Sequence, residues 1–387
     1  MNVLLNVESI APPLTGIGRY TKEILSGLMK LGSIDKVWCF DTLKLVDSKE
    51  VGNFENSDSP KKFKNNKSKL KGYVRSLPGA YNTHSKIREC MFRLRTKHFK
   101  NTVYHEPNYI LKPYAGPKVM TLHDLSHIHY PEFHPKERVS NLEKNLNSSL
   151  NKADKIITVS HYIKNEIVKY LAVPESRIEA IHLGVNPEYA PREKDEAASV
   201  LSRYKIKYGS YLLVVATFEP RKNLDRLLVA YSNLSAKLRK MYPLVLAGPS
   251  GWGEAVNGKR IAALESRGEL QRIGYVNEGD LPYIYAGAAA FAFPSVYEGF
   301  GLPPLEAMAC GVPVVASNTS SMPEVLGTAA QYINPYDIDD IQDSLEEVLG
   351  SSGKREQMAN EGIKRAQQFT WDRCVQKTAS LYNEVNS

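Results

Sequence analysis

The sequence of 387 residues has no hydrophobic run long enough to cross a lipid bilayer. A transmembrane helix needs about 20 consecutive apolar residues, and no apolar run here reaches even about 18. The apolar stretch Val3–Val7 is too short for the core of a signal peptide, and no basic leader precedes it. These absences exclude a spanning helix and predict a protein that stays in the cytoplasm.

Cysteine is also scarce, and the four cysteines lie far apart in the sequence. No pair of them has the spacing of a zinc site or a redox motif, which argues against a disulfide framework and fits a reducing compartment. No Asp-x-Asp pair or histidine cluster indicates a metal site, because Asp337 and Asp339 are better interpreted as the acidic beginning of a helix. We therefore expect neither a metal ion nor another cofactor.

Positive charge is concentrated in one segment of the chain. The formal net charge is +8, and Lys61–Lys100 contains thirteen Lys or Arg but one acid, Glu89. That segment alone carries +12, which leaves −4 for the rest. A basic segment attracts anionic lipid head groups or nucleic acid, but its aromatic residues form no nucleic-acid stacking motif. Two interpretations remain open: a solvated loop, and contact with an anionic membrane surface.

The remaining pattern is that of an α/β protein with about two domains. Hydrophobic residues make up 42% of the chain and charged residues 24%, which is enough for a substantial core. Apolar strands alternate with helical stretches from Val3 onward, and the alternation starts afresh near Pro191. Strands separated by helices of this length indicate right-handed βαβ crossovers. The sequence therefore predicts two Rossmann-like, doubly wound domains with a ligand cleft between them.

The strongest local motif begins at Phe293 and reads as strand, glycine-rich turn, helix and strand. Gly299 and Gly301 allow the backbone to approach a ligand closely, and Pro303 and Pro304 suit the first turn of a helix. The N–H groups at that helix start form an anion site that is best suited to phosphate.

Two glutamates, Glu298 and Glu306, lie eight residues apart beside this turn. Carboxylates would repel phosphate, but they would accept hydrogen bonds from sugar hydroxyls. The alternative is a turn that carries two solvated acids.

A second motif, Thr217–Leu224, follows the apolar strand Tyr211–Ala216. Ligands of such sheets bind at the carboxyl ends of the strands, so Arg221 and Lys222 are placed to hold a diphosphate. Together with the helix dipole they would neutralise the charge of a leaving group in place of a metal ion.

Four motifs together resemble the family 4 retaining glycosyltransferases, which have the two-Rossmann architecture called GT-B. They are Glu298-x7-Glu306, the Arg221-Lys222-Asn223 turn, Thr15-Gly-Ile-Gly-Arg-Tyr and Thr121-Leu-His-Asp-Leu. The likeness runs from Asn2 to the C-terminal helices and fails only across about Leu43–Lys100. It implies an acceptor domain at 1–188, a nucleotide-sugar domain at 189–368 and a C-terminal helix at 369–387 that packs back on the first domain.

The resemblance also implies a role for each matching residue. Catalytic roles fall to His123, Arg221, Lys222 and Glu298. Donor-binding roles fall to Gly16, Arg221, Lys222, Val276, Glu298, Gly299, Phe300, Gly301, Leu302 and Glu306. Among these, Glu298 and His123 would reach the donor sugar, Glu306 the ribose hydroxyls and Val276 the nucleobase.

Relatives of this type include bacterial mannosyltransferases that build polysaccharides such as O-antigen. The reaction implied is transfer of a hexose, best matched by mannose from GDP-mannose, to a carbohydrate acceptor on a lipid diphosphate carrier. No residue of the first half is marked as a carboxylate nucleophile, so front-face substitution is favoured over two inversions. The implied partners are the nucleotide sugar, this acceptor and an anionic membrane surface contacted by Lys61–Lys100, at the inner face of the plasma membrane; nucleic acid is not among them.

Three alternatives stay open at this point. The first is nucleic-acid binding through Lys61–Lys100, which strong salt-dependent binding to unrelated DNA would favour. A sugar-nucleotide epimerase of the same architecture would need its own acid and base carboxylates near the anomeric centre. A non-catalytic subunit that binds a nucleotide or glycan should have lost Arg221, Lys222 or Glu298, and all three are present.

Overall fold

The structure is a computed structural model that describes residues 1–11, 14–42, 44–48, 51, 80–99, 101–249 and 254–386, without the side chains of 80–87 and 254–257. Residues 61–79 and Lys100 of the basic segment lie outside the described residues, so its predicted membrane contact stays a prediction.

The described residues of the first half of the chain form a seven-stranded sheet. Its strands are β1 (Asn2–Asn6), β2 (Lys36–Asp41), β3 (Lys44–Asp47), β4 (Thr102–Glu106), β5 (Lys118–Leu122), β6 (Lys155–Thr158) and β7 (Ile178–Ala180). They lie in the order β3-β2-β1-β4-β5-β6-β7, and every neighbouring pair is parallel except β2 with β3. The helices are α1 (Gly16–Lys30), α2 (Ala80–Thr96), α3 (Ser126–His129), α4 (Lys136–Lys152) and α5 (His161–Leu171). We call the part built on this sheet the N-domain.

The second half forms a six-stranded parallel sheet, and we call this part the C-domain. Its strands are β8 (Leu212–Val215), β9 (Leu244–Ala247), β10 (Leu270–Gly274), β11 (Ala290–Phe293), β12 (Val314–Ser317) and β13 (Ala330–Ile333). Their order is β10-β9-β8-β11-β12-β13. The helices before the tail are α6 (Lys194–Arg203), α7 (Leu224–Asn233), α8 (Ala236–Met241), α9 (Glu254–Ser266), α10 (Leu281–Ala286), α11 (Leu302–Ala309) and α12 (Met322–Leu326).

The central strands of both sheets are apolar because helices cover both faces. In β8, Leu213 packs into one hydrophobic cluster, whereas Leu212 and Val214 pack into a second cluster on the other face. This arrangement confirms the predicted α/β class with two doubly wound domains.

The strand order places the candidate site. The order reverses between β1 and β4 in the N-domain, and between β8 and β11 in the C-domain. Ligands of doubly wound sheets bind outside the carboxyl ends of the strands at such reversal points. The loops that follow β8 and β11 carry the two motifs of the C-domain, so both motifs come to one crevice.

The tail consists of α13 (Ile338–Gly350), α14 (Ser352–Ala366) and α15 (Trp371–Asn386). The last helix returns to the N-domain, where it packs against α1 and β4. The hydroxyl of Tyr382 lies 2.6 Å from Nδ1 of His105, and both groups are buried. The boundaries predicted at 188 and 368 are not tested by these contacts.

Three sequence-based boundaries were wrong. The sequence predicts one helix over Asn223–Leu238, but the structure interrupts it, because the Ser235 hydroxyl accepts from the Leu238 N–H and starts a new helix, α8. The sequence also predicts strands over Arg177–Asn186 and Ile273–Val276; the first is reduced to β7, and the second ends at Gly274. Gly274 has φ +67°, a left-handed conformation that interrupts the strand. Strands β3 and β13 were not predicted.

In the part of the chain that the structure describes, no helix combines the length and the apolar character that a membrane span requires.

We expect Gly184→Ala to destabilise the protein, because a Cβ atom there would lie 2.1 Å from the backbone nitrogen of Trp371. The neighbouring backbone is fixed by the Val185 N–H, which donates to the Phe369 carbonyl at 3.1 Å, so it cannot move away freely. Overpacking of this kind costs about 1–3 kcal/mol of unfolding free energy. Thermal unfolding measures the loss, with Gly32→Ala as the control because its Cβ would meet nothing within 4 Å. Equal midpoints for the two variants would contradict the close approach.

Candidate active site

The glycine-rich loop after β11 leads directly into α11. Gly301 is the residue that precedes this helix and has φ +101°, which a side chain would strain. Pro303 and Pro304 occupy the first turn of the helix. Backbone N–H groups in that turn have no partner within the helix, so the N–H that proline lacks costs no hydrogen bond. The helix start therefore faces the loop, in the arrangement that suits an anion.

Gly299 is required by a close approach within the protein itself. A Cβ atom there would lie 2.0 Å from the backbone oxygen of His123, across the cleft. The Gly299 carbonyl also accepts a hydrogen bond of 2.8 Å from the Ser160 hydroxyl, which caps the start of α5. Gly299 thus lies against the N-domain, and its predicted contact with a donor stays a prediction.

Glu298 lies between the two cations of the turn that follows β8. Its carboxylate oxygens are 2.8 Å from Nη1 of Arg221 and 2.6 Å from Nζ of Lys222. All three side chains are largely buried. Arg221 also donates to the carbonyl of Tyr297 at 2.7 Å, which ties the turn to the loop.

The charge states in this cluster follow from burial and pairing. Burial by itself raises the pKa of Glu298, but Arg221 and Lys222 outweigh it, so the pKa lies below its usual value. Burial lowers the pKa of Lys222, and Glu298 opposes that shift. Glu298 therefore stays anionic and holds the two cations side by side. A donor diphosphate would share these cations with Glu298.

Asn223 fixes the turn that carries the cations, a role that the sequence did not reveal. It is buried and has φ +58°, a conformation that asparagine tolerates better than most residues. Its side-chain amide donates to the carbonyls of Pro294 at 3.0 Å and Pro335 at 2.6 Å. The backbone N–H of Val296 donates to the Arg221 carbonyl at 3.0 Å. The turn and the glycine-rich loop therefore form one rigid unit.

His123 lies just past the carboxyl end of β5. Its Nε2 is 2.8 Å from the carbonyl of Pro107, and its ring packs edge-on against Tyr20. Because a carbonyl only accepts, Nε2 must carry the proton when the ring is neutral, which leaves Nδ1 as an acceptor. Burial lowers the pKa of His123, so the ring is neutral near pH 7.

Asp124, next to His123, is a site residue that we missed. It accepts from the backbone N–H of Ser126 at 3.0 Å and from its hydroxyl at 2.7 Å. Burial raises the pKa of Asp124, but Arg221 in the C-domain and Ser126 reverse the shift and bring it to about 2. The signal was present in the motif Thr121-Leu-His-Asp-Leu, of which we had assigned only the histidine.

Glu306 lies on α11 and is buried. Its Oε1 is 2.9 Å from Nη1 of Arg19, which comes from α1 in the N-domain. Burial raises the pKa of Glu306, and Arg19 partly offsets the shift. Arg19 was also missed, although it belongs to the quoted motif Thr15-Gly-Ile-Gly-Arg-Tyr.

The remaining predicted donor-binding residues differ in what they offer. Gly16 begins α1, and a Cβ atom there would meet nothing within 4 Å. The side chains of Val276 and Phe300 are buried in the hydrophobic core, and Leu302 packs against it. The structure thus joins His123, Arg221, Lys222, Glu298 and Gly299 in one continuous cluster.

The joint between the domains contains one group with the composition of a metal site. Among the described residues, His161, His182 and Glu324 have ligand atoms within 4.8 Å of one another. The Glu324 carboxylate accepts from the backbone N–H groups of His161 and Tyr162, both at 2.8 Å, and so caps α5 from the C-domain. Its Oε1 is 2.6 Å from Nε2 of His182. These contacts account for the group as an interdomain joint.

Comparisons with known proteins agree with the geometry. Residues 14–189 match the family model described as Glycosyltransferase Family 4, and residues 204–365 match Glycosyl transferases group 1. O-antigen chain mannosyltransferase B of Escherichia coli is 37% identical over 382 residues, which cover 99% of each chain. The serotype-specific mannosyltransferase WbdA of Escherichia coli is 34% identical over 57% of this chain and 27% of its own.

Solved structures with little sequence identity share the fold. The glycosyltransferase WaaG superposes with a TM-score of 0.71 at 16% identity, over 98% of this chain and 99% of its own. Anabaena Alr3699/HepE, in complex with UDP and glucose, has a TM-score of 0.71 at 17% identity and 99% coverage of both chains.

We expect Lys222→Ala to lose about 100- to 1000-fold in kcat while the protein remains folded, because one preorganised charge contact at the leaving group is removed. Steady-state turnover of a nucleotide sugar measures the effect, and circular dichroism checks the fold. Lys237→Ala is the matched control, since Lys237 is exposed on α8. Near-wild-type turnover in a folded Lys222→Ala protein would remove Lys222 from the diphosphate site.

Proposed function

Since this chain belongs to the family 4 retaining glycosyltransferases of GT-B architecture, and is thus a hexosyltransferase, we propose that it transfers mannose from GDP-mannose to a growing O-antigen polysaccharide. The observation that carries the proposal is the buried unit of Glu298, Arg221 and Lys222 at the reversal point of the C-domain sheet. The choice of mannose and of O-antigen is supported by the names of the relatives that are 37% and 34% identical.

The proposed donor lies with its diphosphate over the start of α11 and against Arg221 and Lys222. Its sugar hydroxyls donate to Glu298, which stays ionised beside its two cations. Charge that develops on the departing diphosphate is stabilised by groups that are already in place and need little reorganisation. We propose that no metal ion takes part, because the two cations and the helix start supply the positive charge.

Front-face substitution is the mechanism that we propose for retention. A double displacement needs a free carboxylate beneath the anomeric carbon. Among the described residues of the N-domain, three carboxylates are held in place by hydrogen bonds within the protein: Asp124 accepts from Ser126, Glu106 from Asn6 and Tyr104, and Glu166 from Tyr297. The departing phosphate oxygen would instead take the proton of the acceptor hydroxyl, and the protein would contribute positioning and electrostatics.

A panel of nucleotide sugars tests the proposed donor. Purified enzyme is incubated with GDP-mannose, GDP-fucose, UDP-glucose and UDP-N-acetylglucosamine, and release of the nucleoside diphosphate is measured. We expect GDP-mannose to be turned over at least about tenfold faster, since a site built around particular hydroxyls rejects analogues that lack them. Activity should persist in EDTA. A preference for a UDP-sugar would refute the donor, and loss in EDTA with rescue by Mg²⁺ would refute the proposed metal independence.

We also propose that the acceptor is carried on a lipid diphosphate and that Lys61–Lys100 holds the enzyme at an anionic membrane. Each near-surface Lys or Arg contributes about 1 kcal/mol to such binding, which weakens with salt. The segment carries +12 in a chain whose remainder is slightly acidic.

Sedimentation with liposomes tests the membrane contact. We expect recovery with anionic liposomes but not with neutral ones, and a loss when the six lysines Lys61, Lys62, Lys64, Lys67, Lys69 and Lys71 become Gln. Equal recovery with both liposome types would leave the segment as a solvated loop.

A further inference from the structure

Arg19 joins the N-domain to two carboxylates of the C-domain. Its Nη1 is 2.9 Å from Oε1 of Glu306, and its Nε is 3.3 Å from Oε1 of Glu278. The Arg19 side chain is 26% exposed and that of Glu306 only 6%. The guanidinium thus spans the cleft and ends at a carboxylate that is almost completely shielded from water.

The first turn of α1 determines the direction of the Arg19 side chain. The Thr15 hydroxyl accepts from the Gly18 N–H at 3.3 Å, and the Arg19 N–H donates to the Thr15 carbonyl at 2.8 Å. A Cβ atom on Gly18 would lie 2.6 Å from the Ser9 carbonyl, so the helix start is pressed against its own loop. Lys22, nearly one turn later, faces Glu278 at 3.7 Å. Arg19 is therefore held in a fixed direction.

Glu306 owes part of its charge to this contact. Burial favours its neutral form and raises its pKa; Arg19 opposes the shift most strongly, and hydrogen bonds from Tyr285 and Tyr189 oppose it as well. An ionised glutamate only accepts hydrogen bonds at its two oxygens, whereas a protonated one donates from one of them. Without Arg19, a larger share of Glu306 would be protonated, and one oxygen would become a donor.

We propose that Arg19 is a positioning residue for nucleoside recognition. It keeps Glu306 ionised and oriented toward the two ribose hydroxyls, and it does so from the opposite domain. The ribose site is thus complete only when the two domains are in contact. This role rests on the proposed nucleotide-sugar function.

The competing explanation is an ion pair that only holds the two domains together. This explanation and the positioning role make different predictions for nucleotide affinity. Loss of an ion pair that only holds the domains together would change the affinity for every nucleotide by the same factor. Loss of a positioning residue would lower the affinity for a nucleotide that has ribose hydroxyls, and it would leave the affinity for a dideoxy nucleotide nearly unchanged.

Calorimetric titration with GDP and with 2′,3′-dideoxy-GDP separates the two roles. In the wild type we expect GDP to bind about 10- to 100-fold more tightly, because its hydroxyls bond to a charged acceptor. In Arg19→Met this ratio should fall to within about threefold of unity, whereas Lys22→Met, the control on the same helix, should keep the wild-type ratio. Arg19→Lys should retain part of the ratio, since it restores a point charge without the planar guanidinium.

The outcomes distinguish failure of the positioning role from failure of the proposed nucleotide-sugar transfer. An unchanged ratio in Arg19→Met, with both affinities lowered equally, would overturn the positioning role and leave the glycosyltransferase assignment intact. The same titrations with UDP and with ADP, each compared with its dideoxy form, test whether the site binds a nucleotide with a base other than guanine. If the folded wild type bound none of these nucleotides, both the proposed donor and the role of Arg19 would be wrong.

Discussion

The site depends above all on the burial of Glu298 between Arg221 and Lys222. Removing charges from water costs several kcal/mol per ion unless each finds a close partner, so the three side chains must be placed together. Asn223 supplies that placement, because its amide fastens the turn after β8 to the end of β11. The glycine-rich loop, the start of α11 and the cations thereby become one preorganised unit, which is what stabilisation of a departing diphosphate requires.

The second constraint is that each part of this unit is completed by the N-domain. His123 contacts Gly299 through its carbonyl, Asp124 faces Arg221, and Arg19 reaches Glu306. Further from the centre, Ser160 donates to the Gly299 carbonyl and Glu324 caps α5 from the other side. No carboxylate of the site is assigned as a nucleophile. Positioning by both domains explains how the site can nevertheless direct one acceptor hydroxyl to one anomeric carbon.

The sequence was sufficient for features that rest on local chemistry. Apolar strands, turn glycines and the prolines of α11 report backbone geometry directly, and the fold class followed from them. It was insufficient where partners are distant in the chain: Arg19 and Glu306 are 287 residues apart, and only the folded chain pairs them. A local serine cap also divided the helix Asn223–Leu238, which the sequence predicts as continuous.

The stereochemistry of transfer tests the proposed chemistry most directly. The sugar of GDP-mannose is α-linked to phosphate, so NMR of the product linkage reveals whether the anomeric configuration is kept. Substitution on the face of the departing diphosphate, in a site stabilised by Arg221 and Lys222, predicts an α-mannosidic product. A β-linked product would mean attack from the opposite face with a separate base, and it would contradict both retention and the arrangement proposed for the cleft.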